Sequence, residues 1–192
     1  MTRLFAAVVL ATMSGKAAEQ HVTEGAAQST VHVLIYEDLQ CPDCADFRTM
    51  LDQQLLPRYA ATVRFEHRDF PLAKHAWARK AAIAARFFDG AQPGLGVTYR
   101  KYALANIRAI NLDNFNERLS EFAKGHGVDP TQSVAALSDQ RLAALVEKDY
   151  QEGVARGIAK TPTVLVNGTP FIETFAFEDV AKAIDAELAA SK

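Results

Sequence analysis

The chain has 192 residues, 49% hydrophobic and 23% charged, a balance that suits one domain carrying a sizeable insertion around a real core. Its 21 Lys and Arg against 23 Asp and Glu give a formal net charge of −2. The basic residues are scattered, so no stripe exists to contact phosphates, and no nucleic-acid partner is expected.

The N-terminus, MTRLFAAVVLATMSGKAAEQ, sets Arg3 before an apolar run from Leu4 to Met13 that is too short to span a bilayer. Small residues follow it. This is the pattern of a secretory signal peptide over residues 1–18, although a cut after Ala18 puts Lys16 where a small residue is preferred. A periplasmic or secreted protein is expected, and a cytoplasmic one if the segment is not a signal. Residues 19–30, polar and without periodicity, read as a flexible lead-in.

Val31–Tyr36 (VHVLIY) predicts a strand buried on both faces. After the loop EDLQ, the spacing of Phe47, Met50, Leu51, Leu55 and Leu56 predicts a helix from Pro42 to about Tyr59. Pro42 suits its first turn, and Pro57 is expected to stop or kink it. Thr62–His67 alternates and predicts a second strand, followed by the turn RDFPL.

Residues 75–157 then read as almost entirely helical. The segments are HAWARKAAIAARFF, TYRKYALANIRAI, DNFNERLSEFAKGHG, the short DPTQSVAAL and SDQRLAALVEKDYQEGVARG. Asp113 and Ser138 are the expected N-caps of the third and fifth, and Gly125 or Gly127 ends the third. Sheet returns at Thr163–Val166. Asn167-Gly168 is a hairpin turn, Thr169–Ile172 the return strand, and Phe177–Ala190 an amphipathic helix led by Val180, Ile184 and Leu188. The order predicts an α/β fold. One sheet domain is formed by 31–74 and 158–192, with an all-helical subdomain, 75–157, inserted between them.

Cys41 and Cys44 are the only two cysteines. At a strand-to-helix junction a Cys-x-x-Cys pair puts both sulfurs on one side of a helical turn, with Cα atoms about 5–6 Å apart, within disulfide reach. Cys41 falls at the N-cap, where unpaired backbone N–H groups and the helix dipole favour the reactive thiolate. Cys44 lies one turn inside and is the resolving thiol of an exchange that passes through a mixed disulfide on Cys41. A metal site is not expected: there is one Cys-x-x-Cys, and His67 and His75 lack finger-like spacing. An inert structural disulfide is the other reading, but so short a loop gains little closure entropy.

The stretches VHVLIYEDLQCPDCADF, FEHRDFPLAKHAWARKAAIAARF and GVARGIAKTPTVLVNGTP occur in that order. Together they resemble the DsbA-like thiol–disulfide oxidoreductases over nearly all of the chain beyond Val31. The resemblance implies a thioredoxin-like fold, a mixed central sheet flanked by helices, with an inserted helical domain. It implies that the Cys41–Cys44 disulfide is the redox centre, with no other cofactor. It implies cysteine-containing protein substrates and a redox-recycling partner, membrane-bound if the chain is periplasmic. It also implies a cis bond between Thr161 and Pro162, facing the cysteines, where Thr161 offers backbone groups to an extended substrate. Read without the resemblance, Thr161-Pro162 is simply a strand start.

Two features depart from that family. Members often carry a buried acid six residues before the first cysteine; here Ile35 stands there, and the nearby Glu37 or Asp38 either takes that acid's place or is simply a solvated loop residue. The dipeptide between the cysteines is Pro42-Asp43. An acid at position 43 disfavours a Cys41 thiolate and predicts a less oxidising disulfide, with Lys160 near enough to offset it. Of the remaining residues, His75 is expected to have a helix-start or surface role, with tuning of the active site as the alternative, and Trp77 to pack between the subdomains. Phe87, Phe88 and Ile83 are expected to form the helical core. Phe171, Phe175 and Phe177 are expected under the sheet, and Glu147, Lys148 and Asp149 on a solvated face. The functional reading is protein thiol–disulfide exchange. The alternatives are a reductase or isomerase of the same fold, or a thioredoxin-like binding module without turnover.

Overall fold

The structure, a computed structural model, describes residues 21–191, so the expected signal peptide lies outside the described residues. The β-branched and aliphatic run beginning at Val31 makes the central strand β2, His32–Glu37. The order across the sheet places β1 (Thr23–Gly25), β3 (Arg64–Asp69), β2, β4 (Thr163–Val166) and β5 (Thr169–Ile172) side by side. β2 runs parallel to β3 and antiparallel to β4; β1 and β5 are antiparallel edges. β4 is buried along its whole length, as its TVLV sequence predicts for an inner strand. Asn167 and Gly168, both at positive φ, make the two-residue turn into β5.

β1 corrects the expectation of a flexible lead-in. Thr23, Glu24 and Gly25 pair with Glu66, Phe65 and Arg64. What selects this strand is backbone pairing rather than an apolar pattern. Gly25 sits at φ +81°, and a Cβ there would lie 2.4 Å from the Val63 carbonyl oxygen. Only glycine permits that approach.

The helix after the cysteines is α1, Pro42–Met50, with Pro42 in its first turn. Pro57 does not stop it. A π-helical turn, Leu51–Leu55, precedes α2 (Leu56–Tyr59), and the Leu56 N–H reaches the Leu51 carbonyl five residues back. Proline cannot donate to the carbonyl four residues before it, and the widened turn absorbs that lost bond without ending the helix.

Between β3 and β4 lie α3 (Ala78–Ala91), α4 (Leu95–Ala105), α5 (Phe115–Gly125), α6 (Pro130–Ala135), a 3-10 turn (Ala136–Ser138) and α7 (Gln140–Ala155). α8 is Phe177–Ala190. The expected caps shift by one residue. Asn114 rather than Asp113 precedes α5, and Asp139 rather than Ser138 caps α7 by accepting the Arg141 N–H at 2.8 Å. Ser138 is taken up by the 3-10 turn. No described helix is long and apolar enough to cross a membrane.

Two main apolar clusters result. One lies on the sheet and gathers Val33, Ile35, Phe65, Val164 and Val166 with Phe47, Leu51 and Ile184; Phe171, Phe175 and Phe177 pack against it. The other fills the helical layer with Phe88, Tyr99, Phe115 and Phe122, and it reaches Trp77, Cys41 and Cys44. The start of α1 is therefore packed against the inserted helices, with Trp77 at the boundary.

Between sheet and helices runs a buried ionic seam. Arg100 on α4 bonds Glu37 of β2 at 3.1 Å and Asp69 of β3 at 2.7 Å. Arg86 on α3 bonds Asp69 at 2.6 Å and also Asp149 on α7. Asp149, expected on a solvated face, is 1% exposed and accepts the Asp69 backbone N–H at 3.0 Å. It falls on the inward stripe Leu142, Val146, Asp149, Gly153, so helical phase outranks its polarity. Glu147 is exposed and pairs with Arg79.

Candidate active site

β2 ends at Glu37, and residues 38–40 turn the chain into α1. Cys41 is the N-cap residue, with extended backbone (φ −83°, ψ 125°). Both cysteines are free thiols. Cys41 is 4% exposed and Cys44, one turn into the helix, 1%. Across from them the Thr161–Pro162 peptide bond is cis. The Cys41 thiol donates to the Thr161 carbonyl oxygen at 3.3 Å, a contact spanning 120 residues of sequence. The structure thus brings Cys41, Cys44, Thr161 and Pro162 together, with Pro42 and Asp43 exposed at the rim.

The two thiols have opposite electrostatics. Hydrogen bonding with the Cys44 thiol outweighs burial and, with Thr161 and the backbone N–H groups of Cys44 and Asp43, holds the Cys41 thiol down at about 6. The Thr161 hydroxyl is buried and has no partner beside the protonated thiol, so it is free to turn to a thiolate. Burial pushes the Cys44 thiol well up, and its bond to Cys41 and the negative charge of Glu37 act in the same direction. At neutral pH the pair is therefore one thiolate lining the cleft and one thiol buried behind it, the division of labour that stepwise exchange requires.

The mouth of the site is a cleft of about 340 Å³ formed by Cys41, Asp43, Leu72, Lys74, Lys160, Thr161 and Glu173, among others. Lys160 lines the cleft with Asp43, but its ammonium lies 2.5 Å from Glu173, so its charge is already paired. A second groove, about 740 Å³, runs from Pro42 between α1 and α4 past Ala45, Thr49, Leu104 and Ile107.

Of the two readings left open for the acids before the cysteines, solvated or buried, the structure has both acids buried. Ile35 is buried in the sheet core. Glu37, two residues further along β2 and so on the same face, is 3% exposed. Burial raises its pKa, yet it stays below the usual carboxylate range, because His67 Nδ1 lies 2.9 Å away and Arg100 donates to it. His67 also bridges to Glu24 on β1 through Nε2, again at 2.9 Å. A row Glu24–His67–Glu37 therefore crosses three strands beneath α1. Asp38 is 1% exposed, and its carboxylate points away from the thiols toward Leu72 and His75. His75 lies in the turn leading into α3, as expected of a helix-start residue, and is also the partner of Asp38. The sequence left these roles open because each partner lies 30 or more residues away. Among the described residues no group of histidine, cysteine and acidic side chains could hold a metal ion.

A helix-capping dithiol facing a cis-proline step, on a mixed sheet with helices inserted between β3 and β4, defines a thioredoxin-fold protein. The thioredoxin family description matches residues 17–186, and the chain belongs to that family. Among solved structures it is similar to oxidised BdbD from Bacillus subtilis: 21% identity over 88% of this chain and 93% of that one, TM-score 0.79. Chlamydia trachomatis DsbA aligns at 16% identity over 88% and 91% of the two chains, TM-score 0.73. Proteus mirabilis ScsC aligns at 17% identity over 92% and 76%, TM-score 0.74. At these identities the likeness is one of fold. No curated protein matches the chain.

Proposed function

We propose that the protein is a thiol–disulfide oxidoreductase that exchanges disulfides with cysteines of exported proteins. The observation that carries this is the Cys41 thiol, held at the N-cap of α1 within 3.3 Å of the Thr161 carbonyl and depressed to about 6. Cys41 and Cys44 are the catalytic residues. A substrate thiolate attacks Cys41 of the oxidised protein, the Cys41–Cys44 bond breaks, and the electron pair passes to Cys44, which takes up a proton. A second substrate thiolate then attacks the mixed disulfide, leaving the substrate oxidised and Cys41 as a stabilised thiolate.

Thr161 and Pro162 bind substrate: the backbone of Thr161 borders the cleft, where an extended segment can pair with it as an added strand. Pro42 and Asp43 tune the couple. No further cofactor takes part, since the two sulfurs store both electrons. The Arg3 and Leu4–Met13 pattern supports action in the periplasm or outside the cell. There a redox-recycling partner, membrane-bound if the chain is periplasmic, accepts the two electrons of the reduced pair and restores the disulfide. The fold shared with BdbD, DsbA and ScsC supports the same reading.

The test is the reduction potential of Cys41–Cys44, measured by equilibrating the purified protein against glutathione buffers. A value near about −120 to −180 mV marks a disulfide donor, and one near about −270 mV a reductant working in the opposite direction. Failure to exchange at all replaces the enzyme reading with a binding module.

A further inference from the structure

Asp38 uses every polar atom it has. Its N–H donates to Cys44 Sγ at 3.4 Å. Its carbonyl accepts the Cys41 N–H at 3.0 Å. Oδ1 accepts the Gln40 N–H at 2.7 Å. Oδ2 accepts the Leu72 N–H at 2.7 Å and the His75 Nδ1–H at 2.8 Å. One residue therefore holds both cysteines through its main chain and is itself held through its side chain. A carboxylate that accepts three donors in a buried site fixes the peptide planes on either side of it.

The side-chain partners come from a separate segment. Leu72 and His75 belong to the turn that leads into α3, and the His75 N–H donates back to the Leu72 carbonyl at 3.0 Å. The His75 side chain is 15% exposed, so it closes the cluster from the solvent side. Trp77, two residues on, adds a further tie: its N–H donates to the Gln40 side chain at 2.8 Å. The loop before the cysteines is thus stapled to the start of the inserted helices.

We propose that Asp38 and His75 are positioning residues for thiol–disulfide exchange: His75 locks the Asp38 carboxylate, and the locked loop aims the Asp38 N–H at the sulfur of Cys44. This rests on the exchange reaction proposed above. When a substrate thiolate attacks Cys41 Sγ, a bond forms between those two sulfurs and the Cys41–Cys44 bond breaks. The electron pair of the broken bond ends on Cys44 Sγ, Cys41 is left in a mixed disulfide, and a second thiolate completes the reduction. Cys44 is buried, and the Asp38 N–H is the backbone donor beside it until a proton arrives from solvent. In the reverse direction the same N–H steadies Cys44 as it becomes the attacking thiolate. This bond also opposes the burial that raises the Cys44 thiol.

The experiment follows reduction of the oxidised full chain by reduced glutathione, quenching with an alkylating reagent and counting modified cysteines over time. His75→Ala is expected to slow the reaction about five- to tenfold, the effect of loosening one charge-assisted hydrogen bond. His75→Asn places an amide N–H where Nδ1–H was, and is expected to recover most of the rate. Asp38→Asn offers one acceptor oxygen in place of two and is expected to lose more than His75→Ala. A merely structural staple would lower the melting temperature of both variants without restoring the rate in His75→Asn. His75→Ala exchanging within about twofold of the unaltered protein overturns the inference, as does His75→Asn exchanging no faster than His75→Ala. If the unaltered protein does not exchange, the proposed function itself falls, an outcome distinct from unaltered protein and variants exchanging alike.

Discussion

At the scale of single residues, the site depends on keeping Cys41 ionised and Cys44 protonated. Cys41 is held at about 6, below the value near 8.5 of a free thiol. Alkylation of the reduced protein by iodoacetamide is therefore expected to titrate with a midpoint near 6 and to modify Cys41 first. The sign for stability follows from the same depression. The reduced fold gains stability that is complete above about pH 8.5 and is lost as pH falls through about 6. A midpoint above 8, measured by alkylation rate, would remove the basis for Cys41 as the nucleophile. Asp43 acts on the same charge. It is exposed, and Lys160, which lines the same cleft, is paired with Glu173. Replacing Asp43 by His is expected to stabilise the thiolate and raise the reduction potential, by about 30 mV for each tenfold change in exchange equilibrium. A potential unchanged from the parent in glutathione buffers counts against that role.

The residues just named were legible in sequence because their chemistry is local: Cys41, Pro42, Asp43 and Cys44 are consecutive, and Thr161-Pro162 is a dipeptide with a known counterpart. Glu37, Asp38 and His75 were left open between a solvated or surface place and a role at the site. An acid at or just past a strand end is solvated or buried according to the chain that covers it. Here that cover is Arg100, His67 and the turn at Leu72, all distant in sequence.

At the scale of elements, helix and strand order followed from periodicity, while edges and docking did not. β1 is three residues long and has no apolar alternation, so no pattern marks it. α7 was legible as a helix, but its buried face was obscured by the polar run Glu147–Lys148–Asp149. The helix rests on the sheet layer at Gly153, where an added Cβ would lie 2.7 Å from the Phe70 ring and 3.0 Å from that of Tyr36. Phe70 stacks on Tyr150 and meets Tyr36 edge-on, so the ring has little freedom to move. Gly153→Ala is expected to destabilise the protein by about 1–3 kcal/mol, despite alanine's better helix propensity. Chemical denaturation of the variant measures this; unchanged or increased stability would mean that α7 is not seated at that point.

At the scale of the whole molecule, the inserted helices and the sheet are joined by buried charge as well as by apolar surface, and this sets the response to pH. Although burial raises it, Glu24 is held at about 2 by His67 and Arg48. Glu37 and Asp69 are also held low, against burial, by His67 and Arg100 in the first case and by Arg100 and Arg86 in the second. Carboxylates depressed in the fold contribute stability that is present above their unfolded values near 4 and is lost as pH falls through the folded ones. His67 is raised, so its share is complete below about 6.5 and lost at higher pH.

Asp89 runs against this scheme. Burial raises it to about 6. One of its carboxylate oxygens is buried without a partner, and its carboxyl occupies the space where a side chain at position 96 would stand. An acid raised in the fold costs stability as pH climbs from about 4 to 6, and the cost is full above that. Asp89→Asn keeps the shape and removes the charge. It is expected to stabilise the protein by about 1–2 kcal/mol at pH 8 and to change little at pH 4. Urea unfolding at the two pH values separates this from a packing effect, which would appear equally at both. An equal gain at both would assign Asp89 a steric role and leave the seam's acid balance to Glu24, Glu37 and Asp69 alone.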